Sequence, residues 1–112
     1  MRKLILSLAC SALICTHAEA FDFNTCAVVE IVITGDQNAH VQLDCAINNV
    51  PPCATANTYF AFDKSTPAGN QYLAMVMAAQ AMNAKLTGDV DHSSCPPFQG
   101  NVAYLMHLRM LK

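Results

Sequence analysis

The residues of this chain able to do chemistry are its cysteines, its histidines and one tight run of carboxylates. Cys26, Cys45, Cys53 and Cys95 lie beyond an N-terminal stretch that carries Cys10 and Cys15. The four are separated by 18, 7 and 41 residues, so there is no Cys-x-x-Cys knuckle of the kind a four-cysteine zinc site uses. An even count in a short exported chain reads instead as two disulfides, for which three connectivities exist. Oxidation removes these sulfurs as nucleophiles. His40, His92 and His107 have no serine in a Gly-x-Ser-x-Gly setting to work with. Asp89-Val90-Asp91-His92 offers three metal-capable groups in four residues, but an ion needs further ligands and supporting hydrogen bonds, and such a run is more often a solvated loop. His107 alternates with Arg109 and reads as a surface residue. The expectation is a protein that is not an enzyme, with no catalytic residue, no metal and no cofactor.

The context for those disulfides comes from the N-terminus. Arg2 and Lys3 precede an apolar run from Leu4 to Ile14, and a short polar stretch then ends in Ala18-Glu19-Ala20. That order is a signal peptide, with cleavage expected after Ala20. The run is too short to span a bilayer, which takes ~20 apolar residues. Residues 1–20 are therefore read as a leader, and 21–112 as a single secreted or periplasmic domain. The domain holds Lys64, Lys85, Arg109 and Lys112 against Asp22, Glu30, Asp36, Asp44, Asp63, Asp89 and Asp91, a balance of −3. With no basic cluster, nucleic acid is not an expected partner.

The elements that must position these groups are mostly strands. Residues 26–34 are rich in β-branched side chains and end at the turn cluster Gly35-Asp36-Gln37-Asn38. Residues 40–47 alternate, with Val41, Leu43, Cys45 and Ile47 on one face and His40, Gln42, Asp44 and Ala46 on the other. The two segments form a hairpin that Pro51-Pro52 terminates. A third strand covers 57–63, with Phe60 and Phe62 facing the core. Ser65 or Thr66 caps a helix over 68–83, with Pro67 at its first position and Gly69 as its weak point. Strands at 85–90 and 101–111 follow, separated by an irregular stretch around Cys95-Pro96-Pro97. The fold class is mostly β with one helix. The order β-β-β-α-β-β is that of a five-stranded Greek-key barrel of the OB type.

The run Tyr59-Phe60-Ala61-Phe62-Asp63-Lys64-Ser65-Thr66-Pro67-Ala68-Gly69 resembles one found in small secreted bacterial proteins akin to the OB-fold B subunits of five-B-chain toxins, such as the subtilase cytotoxin B subunit. The similarity spans about Cys53 to Cys95. Cys26 and Cys45 depart from it, as does Asp91-His92-Ser93-Ser94 where a glycine-rich approach to the late cysteine is usual. The resemblance implies a homo-oligomer with helices gathered at its centre. The helix itself points the same way: from Ser65 to Ala84 one charge-free stretch is apolar on nearly every side, and Met75, Ala78, Ala79 and Met82 are the expected interface.

Binding is the function expected. The polar face of the second strand (His40, Gln42, Asp44), with Asn48, Asn49 and the outward Tyr59, falls where OB folds take oligosaccharides. A neutral, hydroxyl-rich glycan suits these groups better than a nucleotide does. The alternative is a periplasmic or envelope structural protein that docks a partner chain through the apolar helix. Counting back from the hairpin turn brings Cys26 and Cys45 within about two residues of facing each other, inside disulfide range. Cys53 and Cys95, which the resemblance also places on either side of the helix, form the second pair.

Overall fold

A computed structural model describes residues 20–111. The leader expected at residues 1–20 lies, apart from Ala20, outside the described residues. The elements are β1 (Phe23–Cys26), β2 (Val28–Thr34), β3 (Asn38–Leu43), β4 (Tyr59–Asp63), α1 (Pro67–Met82), β5 (Lys85–Val90) and β6 (Ala103–Leu111). The protein is mostly β with one helix, and its six-stranded sheet runs in the order β1-β5-β6-β4-β3-β2. All neighbours are antiparallel except β4 and β6. No helix among the described residues is long and apolar enough to cross a membrane.

The first predicted strand is two strands. β1 pairs with β5, β2 pairs with β3, and Ala27 alone separates them, so the strands at opposite ends of the sheet order are consecutive in the chain. The break is local backbone chemistry. Thr25 adopts a left-handed conformation (φ 56°), and Asp44 then seals the bend, its carboxylate accepting from the Ala27 amide at 2.8 Å and its own amide donating to the Ala27 carbonyl at 3.0 Å. The Cys26–Cys45 disulfide closes the same corner with Cα atoms 5.7 Å apart. Cys53–Cys95 is the second disulfide. Both pairings are those the sequence predicts.

Alternation in β3 and β4 sends Ala39, Val41, Leu43, Phe60 and Phe62 inward, where they are buried with Phe23, Leu86, Leu105 and Ile47. The sheet curls around this core: Phe23 of β1 stacks on Phe60 of β4, centroids 5.6 Å apart, although two strands lie between them in the sheet order. The helix covers the core where α1 meets β2, β4, β5 and β6. Thr66 caps it, accepting from the Gly69 amide at 2.9 Å, Pro67 opens it, and Asn83 closes it in the left-handed conformation. Gly69 is required rather than weak. A Cβ there would sit 1.6 Å from the Asp63 carbonyl oxygen, so only glycine lets the helix start pack on the end of β4. The Asp63-to-Gly69 run is thus a structural device: Asp63 accepts from the Ser65 amide at 2.9 Å and from its hydroxyl, turning the chain into the cap.

The helix buries the stripe Gly69, Val76 and Ala79, with Tyr72, Leu73 and Met75 packed partly against the core. Ala79 is therefore a core residue and Met75 a half-buried one, not the outward positions the sequence was expected to give an interface. Ala78 is half-buried, and of the four only Met82 is well exposed, at 61%, beside Met77 at 53%. An all-apolar helix does not reveal its inner stripe by periodicity.

Candidate functional site

Two polar regions stand out, and they differ in how their groups are satisfied. The first is a cleft of about 210 Å³ lined by Glu30, His40, Thr55, Ala56, Tyr59, Gln99, Asn101 and Val102. Its floor is the outer face of β2, β3 and β4. The strand register sets Glu30 opposite Gln42 and Gln42 opposite Tyr59 in one row, and Val32, His40 and Ala61 in the next. Glu30 reaches the floor because pairing is regular from Thr34 back to Glu30, which shares its face with Val32; the bulge of β2 lies beyond it, between Val28 and Glu30. The His40 and Tyr59 rings lie 6.1 Å apart, tilted by 56°.

The walls of this cleft are two loops held together covalently. Cys53–Cys95 joins the segments that carry Thr55 and Gln99, and the Thr55 amide donates to the Asn101 carbonyl at 3.0 Å. A relay of amides runs along one wall: Asn38 Nδ2 donates to Gln99 Oε1 at 2.6 Å, and Gln99 Nε2 donates to Asn101 Oδ1 at 2.8 Å. Among the described residues, two buried side-chain polar atoms have no partner, Asn38 Oδ1 and His40 Nδ1, and both belong to the outward row of β3. Glu30 makes no ion pair or side-chain hydrogen bond among the described residues.

The second region is an open cleft of about 380 Å³ that includes Asp22, Asn49, Asp89, Asp91, His92 and His107. Asp22, only 4% exposed, is its hub. One carboxylate oxygen accepts from Asn49 Nδ2 at 3.2 Å; the other accepts from the Val90 amide at 2.9 Å and lies 2.7 Å from His92 Nε2. Its amide donates to Asp89 Oδ1, and its carbonyl accepts from the Asn48 amide. Burial pushes the Asp22 carboxyl up, but the bonds from Val90, His92 and Asn49 outweigh it and hold its pKa below the ordinary value. Asp91 is occupied by the amides and hydroxyls of Ser93 and Ser94. The Asp89–His92 run therefore scatters its groups: Asp89 toward His107, Val90 into the core, Asp91 into a turn, His92 onto Asp22. Among the described residues, three metal-capable groups converge only at Cys26, Asp44 and Cys45, where the disulfide ties up both sulfurs.

The predicted binding residues divide between these regions. His40 and Tyr59 line the first cleft, and Gln42 stands half-buried in its floor row. Asp44 serves the Ala27 bend, while Asn48 and Asn49 tie down Asp22, so these three are not brought to the cleft. The residues missed are Glu30, Thr55, Gln99 and Asn101, together with Asp22. No protein family, curated protein or solved structure matches this chain.

Proposed function

We propose that this chain is an exported, non-enzymatic OB-type barrel that binds a glycan in the cleft between Glu30, His40, Tyr59, Gln99 and Asn101. The OB reading is supported by connectivity. With β1 and β2 taken as halves of one bent strand, the order becomes β-β-β-α-β-β, with the third and last strands parallel and the helix between the third and fourth. The relation to toxin B subunits rests on residues 59 to 69, whose role is to build the helix start.

The observation that carries the binding reading is a pair of buried atoms unpartnered among the described residues: His40 Nδ1 on the cleft floor, and Asn38 Oδ1 one outward position along β3, behind the wall residue Gln99 that Asn38 bonds. A buried polar group left unmet costs ~1–3 kcal/mol, and two on one strand row mark a place where the fold is held for something other than its own stability. The cleft is smaller than the roughly 300–1,000 Å³ of pockets that take drug-sized ligands, a size suited to one ring of a longer chain. Two aromatic rings and a set of amides supply a stacking face and paired donors and acceptors for hydroxyls. A glycan-array screen of the oxidised chain tests this reading. Tyr59→Ala should lower the affinity of every retained glycan about tenfold or more while the fold stays intact. No retained glycan, or equal retention by Tyr59→Ala, overturns it.

A second reading, docking of a partner chain or a second copy through the helix, is favoured by exposed Met77 and Met82 on a charge-free segment. Met77→Glu and Met82→Glu are the clean probes, since Met75→Glu would also disturb the core. Light scattering should show the oligomer dissociating in both variants at unchanged melting temperature. A parent that is monomeric at every concentration sinks the oligomer.

A further inference from the structure

We propose that the cleft selects a ligand bearing a free amine, an amino sugar being the chemical class, and discriminates against acidic sugars. This rests on the cleft being the binding site, and goes beyond it by naming what the site recognises. The unmet capacity there is acceptor capacity. Asn38, which adjoins the cleft through its bond to Gln99 and is only 6% exposed, has a carbonyl Oδ1 with no donor among the described residues. His40 Nδ1 is a lone-pair acceptor whenever the ring proton sits on Nε2. Glu30 is the one formally charged side chain lining the cleft, and nothing among the described residues neutralises it.

The cations among the described residues serve elsewhere. Lys64 donates to the Asp36 carbonyl at 2.9 Å, Arg109 lies over the Phe21 ring at 5.5 Å, and Lys85 belongs to β5. A carboxylate or phosphate on the ligand would therefore meet Glu30 with no arginine or lysine among the lining residues to receive it. An ammonium brings three donors and a positive charge, and the faces of Tyr59 and His40 beside Glu30 suit a cation as well as a sugar ring. Hydrogen bonds between ionised partners are roughly twice as strong as neutral ones. With each 1.4 kcal/mol worth a factor of ten, the free amine should gain about tenfold over its acetylated counterpart.

Calorimetric titration of the full, oxidised chain with three probes tests the proposal: a glucosamine tetrasaccharide, the N-acetylglucosamine tetrasaccharide and a sialylated trisaccharide. The amine should bind about tenfold tighter than the acetylated sugar, and the sialylated sugar should bind weakest. Glu30→Gln should bring the amine-to-acetyl ratio close to one. Asp36→Asn, which removes the same charge from the exposed β2–β3 turn, should leave that ratio intact. The proposal falls if the acetylated or sialylated sugar binds as well as the amine. It falls equally if Asp36→Asn collapses the ratio as Glu30→Gln does, which would trace the preference to bulk charge. If the acetylated sugar binds and Tyr59→Ala abolishes it, the cleft stands as a glycan site even where the amine preference fails. If no probe binds, or if binding ignores Tyr59→Ala, the cleft reading fails and takes this inference with it.

Discussion

At Asp22 both carboxylate oxygens, the amide and the carbonyl all have partners, whereas on the outward row of β3 a buried carbonyl and a buried imidazole nitrogen have none. Both regions are polar and concave, and the Asp22 cleft is the larger and the richer in titratable groups. By inventory alone it would be taken for the active one. What separates them is satisfaction. The Asp22 cluster joins the start of β1, the Asn48–Asn49 turn and the end of β5, and its groups point at one another. The His40 cleft is rigid at its walls but unfinished on its floor. In a marginally stable fold, a hydrogen-bonded cluster is explained by stability, while an unfinished one needs another explanation.

The largest test of this contrast acts on the cleft walls. Replacing Cys53 and Cys95 by alanine releases a loop of 42 residues, against 19 for Cys26–Cys45. Chain entropy puts the losses at about 4 and about 3 kcal/mol respectively. The melting temperature should fall further for the first variant. Glycan binding should be lost with it, because Thr55 and Gln99 stand on the two loops that the bond joins, and should survive in the second at a temperature where both variants are folded. A Cys53/Cys95 variant that melts lower yet binds normally would show that the walls need no staple.

Asp22→Ala comes next, at about 2–4 kcal/mol, because it leaves the buried Val90 amide and Asn49 without acceptors. Binding in the His40 cleft should be unaffected. Asp22 also predicts an acid transition. Its folded pKa lies below the ordinary aspartate value of 3.8, so its contribution is present in full above that value and is lost as pH falls through the folded pKa. Denaturant midpoints measured from pH 5 down to pH 2 should drop in the parent and drop less in Asp22→Asn. Parallel profiles would remove Asp22 from the acid transition.

The sequence carried the framework of this molecule further than it carried the site. The hairpin count paired Cys26 with Cys45, since both facts depend on one local turn. Thr66, Pro67 and Asn83 announced the helix, and alternation in β3 put His40 and Gln42 on the outer face. The cleft needed more. Glu30 shares a face with Val32 and Thr34 by period-two alternation, yet alternation alone does not show that a cleft stands over it, and Gln99 and Asn101 come from an irregular loop whose position a disulfide sets. Asp44, Asn48 and Asn49 looked like ligand groups because they are polar and adjacent to β3, yet backbone amides and Asp22 claim them. The one trace of Asp22 was a charge set between the apolar rings of Phe21 and Phe23, and its partners lie 27 to 70 residues away.

The smallest expected effect is the most discriminating. Asn38→Ala removes the hydrogen bond to Gln99, worth ~0.5–1.5 kcal/mol, and with it a buried carbonyl whose unmet state costs ~1–3 kcal/mol. The two nearly cancel, so the free chain should keep its stability to within about 1 kcal/mol and shift, if at all, upward. Ligand affinity should fall by contrast, because the acceptor at the buried end of the relay from Asn38 through Gln99 to Asn101 is gone. Paired melts with and without saturating glycan read both quantities in one experiment, since a ligand that binds only the folded chain raises its stability by an amount set by its dissociation constant. An Asn38→Ala variant as unstable as Asp22→Ala would mean that this amide holds the fold together, and the contrast between a finished and an unfinished polar cluster would be lost. A variant that is stable but binds poorly separates what the fold requires from what the cleft is built to receive.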